Sequence, residues 1–230
     1  KLNLSNTPIV NVNELVNVEE LCLDNCRFVN NVSNLSNLKK LSLSKTGVTD
    51  SCGVEKLNNL VELDLSDTDI THLKSFDKLC VLNVSWCEKL HDVSKLTRVK
   101  ELYIKDCNKI TDSSGLCNLK CVEKLVLFNN NNITDACGID QLPQLRFLHL
   151  YNCTNITDTL LIKLAQLPNL KTLIVESCLR MNNSVTLEIL QPIQVFMCYC
   201  QRNAFHLPHS IIDNKENIIY RCFCMEANPT

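Results

Sequence analysis

Glycine, aromatic side chains and excess charge of one sign are all scarce in this 230-residue chain. Its four glycines stand singly, so the glycine-rich loop that cradles phosphate groups is missing. The chain has 23 Lys and Arg against 25 Asp and Glu, which gives a formal net charge of −2. It therefore lacks the excess of positive charge that is typical of nucleic-acid-binding proteins. No run of about 18 apolar residues occurs. We therefore predict neither a nucleic-acid partner nor a membrane-spanning helix.

Cysteine, by contrast, is abundant, with 15 residues. An odd number cannot pair completely within one chain, and the spacings match no familiar disulfide framework. Free thiols persist most easily in a reducing compartment, so we expect an intracellular protein, either cytoplasmic or nuclear. The chain begins at Lys1 with its repeat already under way. We therefore expect a piece of a longer protein whose N-terminal cap is missing.

The dominant pattern is a short repeat, Leu-x-Leu-x-x-Cys/Thr/Asn, that returns every 19 to 25 residues. Its copies begin at Leu2, Leu21, Leu41, Leu63, Leu82, Leu102, Leu125, Leu148, Leu173 and Val195. Side chains alternate between the two faces of a strand, so Leu102 and Ile104 should point inward while Tyr103 and Lys105 point outward. One repeat cannot bury its own apolar side, and successive repeats must stack into a continuous core.

This pattern predicts an α/β solenoid, a right-handed superhelix with a parallel concave sheet of about ten short strands and mostly irregular or short-helical convex segments. The repeats would occupy residues 1–200, and residues 201–230 would form a C-terminal cap or tail. The longer late repeats have room for a helix. The segment TLLIKLAQL is the best candidate, with Asp158 as its N-cap.

The sixth position of the repeat carries Thr, Cys or Asn, all of them small side chains with a hydrogen-bond donor. Such side chains can satisfy carbonyl groups that are buried where the strand turns away from the sheet. The cysteines at this position are Cys26, Cys87, Cys107, Cys153, Cys178 and Cys200. We interpret them as structural rather than as redox or metal-binding residues.

The C-terminal segment contains a possible set of soft metal ligands. Its members are Cys198, Cys222, Cys224, His206 and His209. The C-x-C spacing is tighter than the usual C-x-x-C of zinc sites, and Cys198 also falls on a predicted strand. We predict no metal and no cofactor, and we keep zinc ligation by this set as the alternative.

The repeats resemble the leucine-rich-repeat superfamily from about Leu2 to Cys200. The forms CNKITD at Cys107 and CTNITD at Cys153 are similar to the cysteine-containing class found in F-box substrate receptors. The short unit TGVTD at Thr46 more closely resembles the leucine-rich-repeat proteins of trypanosomatid parasites, some of which carry an upstream RING-type zinc region. The resemblance implies a protein-binding solenoid and, in the F-box case, the substrate-recognition part of a ubiquitin ligase.

The outward strand positions change character along the chain. They are small, polar and slightly acidic in the first five repeats, and largely aromatic or apolar from the sixth repeat onward. Clustered aromatic side chains are how protein interfaces anchor themselves. The predicted partner-binding residues are Trp86, Tyr103, Lys105, Phe128, Phe147, His149, Tyr151 and Glu176. The alternative is that Phe128 and Phe196 simply cover gaps or are shielded by a neighbouring domain outside this chain.

The sequence gives no support for an enzyme. His149 is the one histidine at an inner-sheet position, and no Ser or Cys nucleophile with an orienting carboxylate is framed around it. We interpret the chain as a non-enzymatic scaffold that binds a protein partner on its concave face, either as a monomer or within a longer chain. The substrate-recognition part of a ubiquitin ligase and an extracellular recognition receptor remain as alternatives.

Overall fold

A single parallel sheet runs along the protein. The computed structural model describes residues 1–178, 190, 193–198 and 218–220, without the side chains of 196–198 and 218–220. Within these residues eleven strands pair in chain order, each with the next. They are β1 Leu2–Asn3, β2 Glu20–Cys22, β3 Lys40–Ser42, β4 Glu62–Asp64, β5 Val81–Asn83, β6 Glu101–Lys105, β7 Lys124–Phe128, β8 Phe147–Tyr151, β9 Thr172–Glu176, β10 Gln194–Cys198 and β11 Ile218–Tyr220.

The first leucine of each repeat sets the register of the sheet. Leu2 pairs with Leu21, and Leu102 pairs with Leu125. The ten strands predicted from the repeats all form, which confirms the solenoid with its parallel sheet. β11 adds one more strand beyond residue 200, where we expected a cap or tail. Most of residues 201–230 lie outside the described part of the chain, so the division at residue 200 stays a prediction.

The segments that return from one strand to the next are mostly irregular. They contain short 3-10 helices at Val54–Lys56, Asp112–Ser114, Leu116–Asn118 and Ile139–Gln141, and one α-helix, α1, at Asp158–Leu164. The N-cap of α1 is Thr157, so the prediction that placed it at Asp158 was wrong by one residue. Thr157 has extended backbone angles, and its hydroxyl accepts the Thr159 N–H at 3.2 Å.

The inward side chains of successive strands merge into one core that runs from Val12 to Val195. Leu102 and Ile104 are fully buried, whereas Tyr103 and Lys105 are half-buried on the opposite face of the sheet. This confirms the alternation predicted from the repeat. Each coil depends on the next for its burial, so stability is transmitted mainly between neighbours.

The carbonyl of the third residue of a repeat is buried where the chain turns away from the sheet, and sixth-position side chains supply its donors. The Thr68 hydroxyl donates to the Leu65 carbonyl at 2.6 Å within its own coil. The Cys87 thiol donates to the same oxygen from the following coil at 3.0 Å. Cys107 repeats this arrangement, with its thiol 3.0 Å from the Val84 carbonyl. The structural role predicted for these cysteines is confirmed; Cys200 lies outside the described residues.

Asn130 replaces a thiol in this ladder and makes one bond more. Its amide nitrogen donates to the Ile104 carbonyl at 2.8 Å, and its amide oxygen accepts the Cys107 N–H at 3.1 Å. The side chain is fully buried, so no water competes for either group. Asn130 therefore satisfies a donor and an acceptor of the preceding coil at once.

A second ladder of side chains links neighbouring coils through Ile-Thr-Asp sequences. Asp112 accepts the backbone N–H of Thr134 at 2.7 Å and its hydroxyl at 2.5 Å. In the next coil Asp135 accepts the same two groups of Thr157. Each aspartate thus fixes the start of the following return segment, including the N-cap of α1.

Asn130→Ala should lower the free energy of unfolding by about 2–4 kcal/mol, because it leaves a buried carbonyl and a buried N–H without partners. Asn132→Ala is the matched control. Asn132 is exposed and donates only to the Asn108 carbonyl, so its removal should cost no more than about 0.5 kcal/mol. Urea unfolding followed by circular dichroism measures both. Equal effects of the two substitutions would contradict the role given to Asn130.

Alkylation should distinguish the buried thiols of Cys107 and Cys137 from the exposed thiol of Cys121. Burial raises the pKa of Cys107 and of Cys137 to about 12, so both stay protonated at pH 8. Cys121 is exposed. With iodoacetamide and the native protein, peptide mass spectrometry should find Cys121 modified at least about 100-fold faster than Cys107 or Cys137. Comparable rates in protein that keeps its circular dichroism would contradict the structure.

Candidate protein-binding face

The concave face consists of the second and fourth residues of each repeat, which point away from the core. The second residues are Asn3, Cys22, Ser42, Asp64, Asn83, Tyr103, Val126, His149 and Ile174. The fourth residues are Ser5, Asp24, Ser44, Ser66, Ser85, Lys105, Phe128, Tyr151 and Glu176. Because strands lie about 4.8 Å apart, neighbours within either series are in side-chain contact range. The face is therefore a regular array whose chemistry the sequence determines.

Three rings form a compact group on the C-terminal half of this face. Phe128 stacks on Tyr151, with ring centroids 4.9 Å apart and planes inclined by 24°. Phe128 also meets His149 edge-on, at 4.7 Å and 66°. All three residues are half-buried, because each ring covers part of its neighbour. We call Phe128, His149 and Tyr151 the ring cluster; five of the eight predicted binding residues lie in it or in contact with it.

Two lysines lie on the faces of the rings. The Lys105 ammonium is 4.6 Å from the centroid of Phe128. The Lys124 ammonium lies between two other predicted residues, 5.1 Å from the ring of Tyr103 and 5.7 Å from that of Phe147. All three distances are within the range of cation–π attraction. Sequence reasoning missed Lys124, although it precedes its strand's first leucine in register with the predicted Phe147 and lies on the same face of the strand as Val126.

His149 is held as a neutral side chain within the ring cluster. Its Nε2 is buried without a hydrogen-bond partner among the described residues, and Glu176 Oε2 lies 3.7 Å away, beyond hydrogen-bonding distance. Burial lowers the pKa of His149, and the nearby Lys105 charge acts in the same direction, whereas Glu176 partly opposes them. At neutral pH His149 therefore contributes an aromatic surface rather than a positive charge.

Trp86 lies at the edge of the concave face, in the fifth position of its repeat, and is 49% exposed. Its φ is +60°, in the left-handed region. The fifth residues of the other eight repeats among the first nine share this conformation: Asn6, Asn25, Lys45, Asp67, Asp106, Asn129, Asn152 and Ser177. Asn and Asp adopt it readily, whereas a bulky residue is strained by about 1–2 kcal/mol. The structure does not bring Trp86 into contact with the ring cluster.

The N-terminal half of the face is a lattice of carboxylates, amides and hydroxyls. Asp64 accepts the Ser66 hydroxyl at 2.6 Å and the Asn83 amide at 2.9 Å. Asp24 accepts the Ser42 hydroxyl in the same manner. A shallow concavity of about 480 Å³ opens above this lattice, and Tyr103 forms part of its wall. The sequence predicted small polar residues here, but it did not predict a lined hollow that reaches the aromatic half.

The zinc alternative falls on residues that the structure does not describe. Cys198 belongs to β10, but its side chain and all of Cys222, Cys224, His206 and His209 lie outside the described part. Within the described part, no group of three or more His, Cys, Asp or Glu is arranged to hold a metal ion. In the same residues no helix is both long enough and apolar enough to cross a membrane. The zinc alternative therefore remains untested.

Comparison with known proteins found similarity in structure rather than in sequence. No protein-family model matches the chain, and no curated protein sequence matches it. The solved structure of internalin inlF from Listeria monocytogenes superposes with a TM-score of 0.60 and 21% identity, over 84% of this chain and 65% of the internalin. The chain thus spans about two thirds of that protein's length.

Two further structures have the same architecture. Internalin C2 (inlC2) from Listeria monocytogenes superposes with a TM-score of 0.58 and 29% identity, over 71% of this chain and 73% of its own. Human 5T4, also called trophoblast glycoprotein, gives 0.52 and 19%, over 77% and 76%. None of these tests the narrower resemblance to trypanosomatid or F-box proteins, which stays a prediction. The parallel sheet, the leucine register and these structural relatives together make this chain a leucine-rich-repeat solenoid.

Proposed function

We propose that this chain is a non-enzymatic scaffold that binds a protein partner on its concave face, with the ring cluster as the main anchor. The observation that supports this most is the position of Phe128 and Tyr151. They stack on the open side of the sheet, where they add nothing to the continuous core beneath it. Aromatic side chains placed in this way supply most of the binding energy in many protein interfaces.

The rings are also fixed before any partner arrives. Phe128 is in contact with His149 on one side, with Tyr151 on another, and with the Lys105 ammonium. A side chain that is already immobile loses less entropy on binding, and this raises the affinity that a given contact area can provide. Lys105, Tyr103, Lys124 and Phe147 would extend the contact from the cluster toward β6.

An intracellular location is part of this proposal. The described cysteines have free thiols, and most of those in the sixth-position ladder are fully buried. Asn83 begins an N-x-S/T triplet, the sequence signal for N-glycosylation of secreted proteins. Its side-chain amide donates a hydrogen bond to Asp64 in the lattice, where an attached glycan would obstruct the concave face. Both observations favour an intracellular protein over the extracellular receptor. The ubiquitin-ligase alternative is decided by the gene sequence upstream of Lys1, where an F-box or a RING-type Cys/His pattern would support it.

Replacing Phe128 and Tyr151 together with Ser should abolish partner capture without unfolding the protein. Both side chains lie outside the core, so the melting temperature should change little. The measurement is quantitative mass spectrometry of proteins retained by the immobilised chain from an extract of its own cells. Phe28→Ser is the matched control, because Phe28 is 61% exposed and lies outside the sheet. Undiminished capture by the double variant would remove the ring cluster from the proposed site.

Trp86→Asn should stabilise the fold and weaken partner binding at the same time. Asn relieves the strain of the left-handed backbone, so the free energy of unfolding should rise by about 1 kcal/mol. The loss of the exposed indole removes a predicted contact residue. Urea unfolding and the same capture assay measure the two effects. Asp67→Asn, at the same position of the preceding coil, is the control and should change stability by less than about 0.5 kcal/mol. A stabilised variant with intact capture would show that Trp86 is not a contact residue.

A further inference from the structure

The two halves of the concave face differ in charge as well as in polarity. At the edge of the sheet the acidic side chains have lysine partners, as in Glu20 with Lys1 at 3.2 Å and Glu62 with Lys40 at 2.6 Å. Asp24 is different, because no Lys, Arg or His nitrogen among the described residues lies within 4.0 Å of it, and the same holds for Asp64. The N-terminal half therefore carries two carboxylates that have no ion-pair partner among the described residues.

These two carboxylates are held in place by neutral donors. Asp64 Oδ1 accepts both the hydroxyl and the N–H of Ser66, while its Oδ2 accepts the Asn83 amide. Asp24 Oδ1 accepts the Ser42 hydroxyl and, at 3.3 Å, the Ser44 N–H. Neutral donors fix the position of a carboxylate but leave its charge in place. The lattice is thus a rigid acidic surface whose natural complement is a Lys or Arg side chain.

The C-terminal half offers an apolar anchor without comparable excess charge. Lys105 and Lys124 lie on ring faces, and Glu101 and Glu176 lie close by, with Lys124 3.5 Å from Glu101. The concavity joins the two halves, since Asp64 and Tyr103 both line it. A partner that spans the concavity would therefore meet apolar rings at one end and negative charge at the other.

The spacing of the strands sets the spacing of the groups that would fit. Asp64 is on β4 and Phe128 on β7, three strands or about 14 Å apart. Asp24 follows β2, five strands or about 24 Å from Phe128. An extended segment advances about 3.3 Å per residue, so these distances correspond to about four and about seven residues. One extended stretch of about eight residues that crosses the strands could reach all three positions.

We infer that the partner presents an extended segment with an aromatic or large aliphatic anchor, followed or preceded about four and about seven residues away by Lys or Arg. The anchor packs on the ring cluster, and the basic residues lie over Asp64 and Asp24. This inference rests on the proposed function and adds the chemistry of the partner. The aromatic or aliphatic end of the segment binds at the ring cluster, and its basic end binds at the lattice.

The test is a selection of phage-displayed random 12-residue peptides on the immobilised chain, with the Phe128→Ser, Tyr151→Ser double variant as the counter-selection. Enriched peptides should share an aromatic or large aliphatic residue and two basic residues at these spacings. A representative synthetic peptide labelled with fluorescein then gives Kd by fluorescence polarisation at several salt concentrations. Ionic contacts at an exposed face weaken with salt, so the Kd should rise as salt is added.

The charge part is tested by Asp24→Asn with Asp64→Asn, which removes both charges and keeps one oxygen at each position for the serine donors, while the Asn83 amide loses its acceptor. This double variant should bind the peptide about five- to tenfold more weakly and should lose most of the salt dependence. The matched control is Glu55→Gln with Asp140→Asn. It changes the net charge equally, but on 3-10 helices of the convex side, and should bind like the unaltered chain.

The outcomes separate this inference from the proposed function. Enriched peptides without basic residues, or equal Kd values for the Asp24, Asp64 double variant and its control, would overturn the inference and leave the scaffold function intact. A selection that enriches the same peptides on the chain and on the Phe128, Tyr151 double variant would count against the ring cluster, and with it against the proposed function. Enriched basic peptides that bind the unaltered chain and bind the Asp24, Asp64 double variant more weakly would support both the inference and the proposed function.

Discussion

The buried carbonyl at the end of each strand is the constraint on which the repeat depends. The chain leaves the sheet near the third residue of each repeat, and the carbonyl oxygen there is sealed from water by the next coil. Thr68 satisfies it from within its own coil, whereas Cys87 and Cys107 reach it from the coil that follows. A thiol is a weak donor, but it is also a small apolar group, so it fills the space between coils as well as serving the carbonyl. Cysteine at the sixth position is thus a packing solution used in several coils, and it requires no redox chemistry.

The same turn imposes a second constraint at the fifth residue, just before the sixth residue that supplies the donor. The fifth residue of each of the first nine repeats takes a positive φ, a conformation that Asn and Asp tolerate best. Their side chains then extend the ladder, as Asn152 donates to Asn129 at 3.0 Å and Asn129 to Asp106 at 2.8 Å. Trp86 departs from this pattern, and its half-exposed indole makes no hydrogen bond or ring contact with the described residues. Strain that the local structure does not require points to a role outside the fold, and this agrees with its place at the edge of the concave face.

The fold could be read from the sequence because period-two leucines at nearly constant spacing determine both the inward face and the register. The same alternation predicted that five side chains of the second and fourth positions lie on the concave face: Tyr103, Lys105, Phe128, His149 and Tyr151. What could not be read were the contacts between coils, because they depend on rotamers and on how coils of unequal length align. Two such contacts are the placement of Lys124 between two rings and the hydrogen bonds that hold the carboxylates of the lattice, which have no ion-pair partner among the described residues. The N-cap at Thr157 was missed because that hydroxyl is fixed by Asp135 of the preceding coil, a contact invisible in one repeat alone.

The separation between core and face explains how such a chain can carry a specific site at little cost to its stability. First and third residues of the repeats build the core, while second and fourth residues point away from it, so a change in one series leaves the other largely intact. The rings are nevertheless ordered, because each packs on its neighbour across a strand spacing that the core itself fixes. Ordering a free side chain on binding costs about 0.5–1.5 kcal/mol. The solenoid meets that cost when it folds, and the partner therefore encounters a surface that is already arranged.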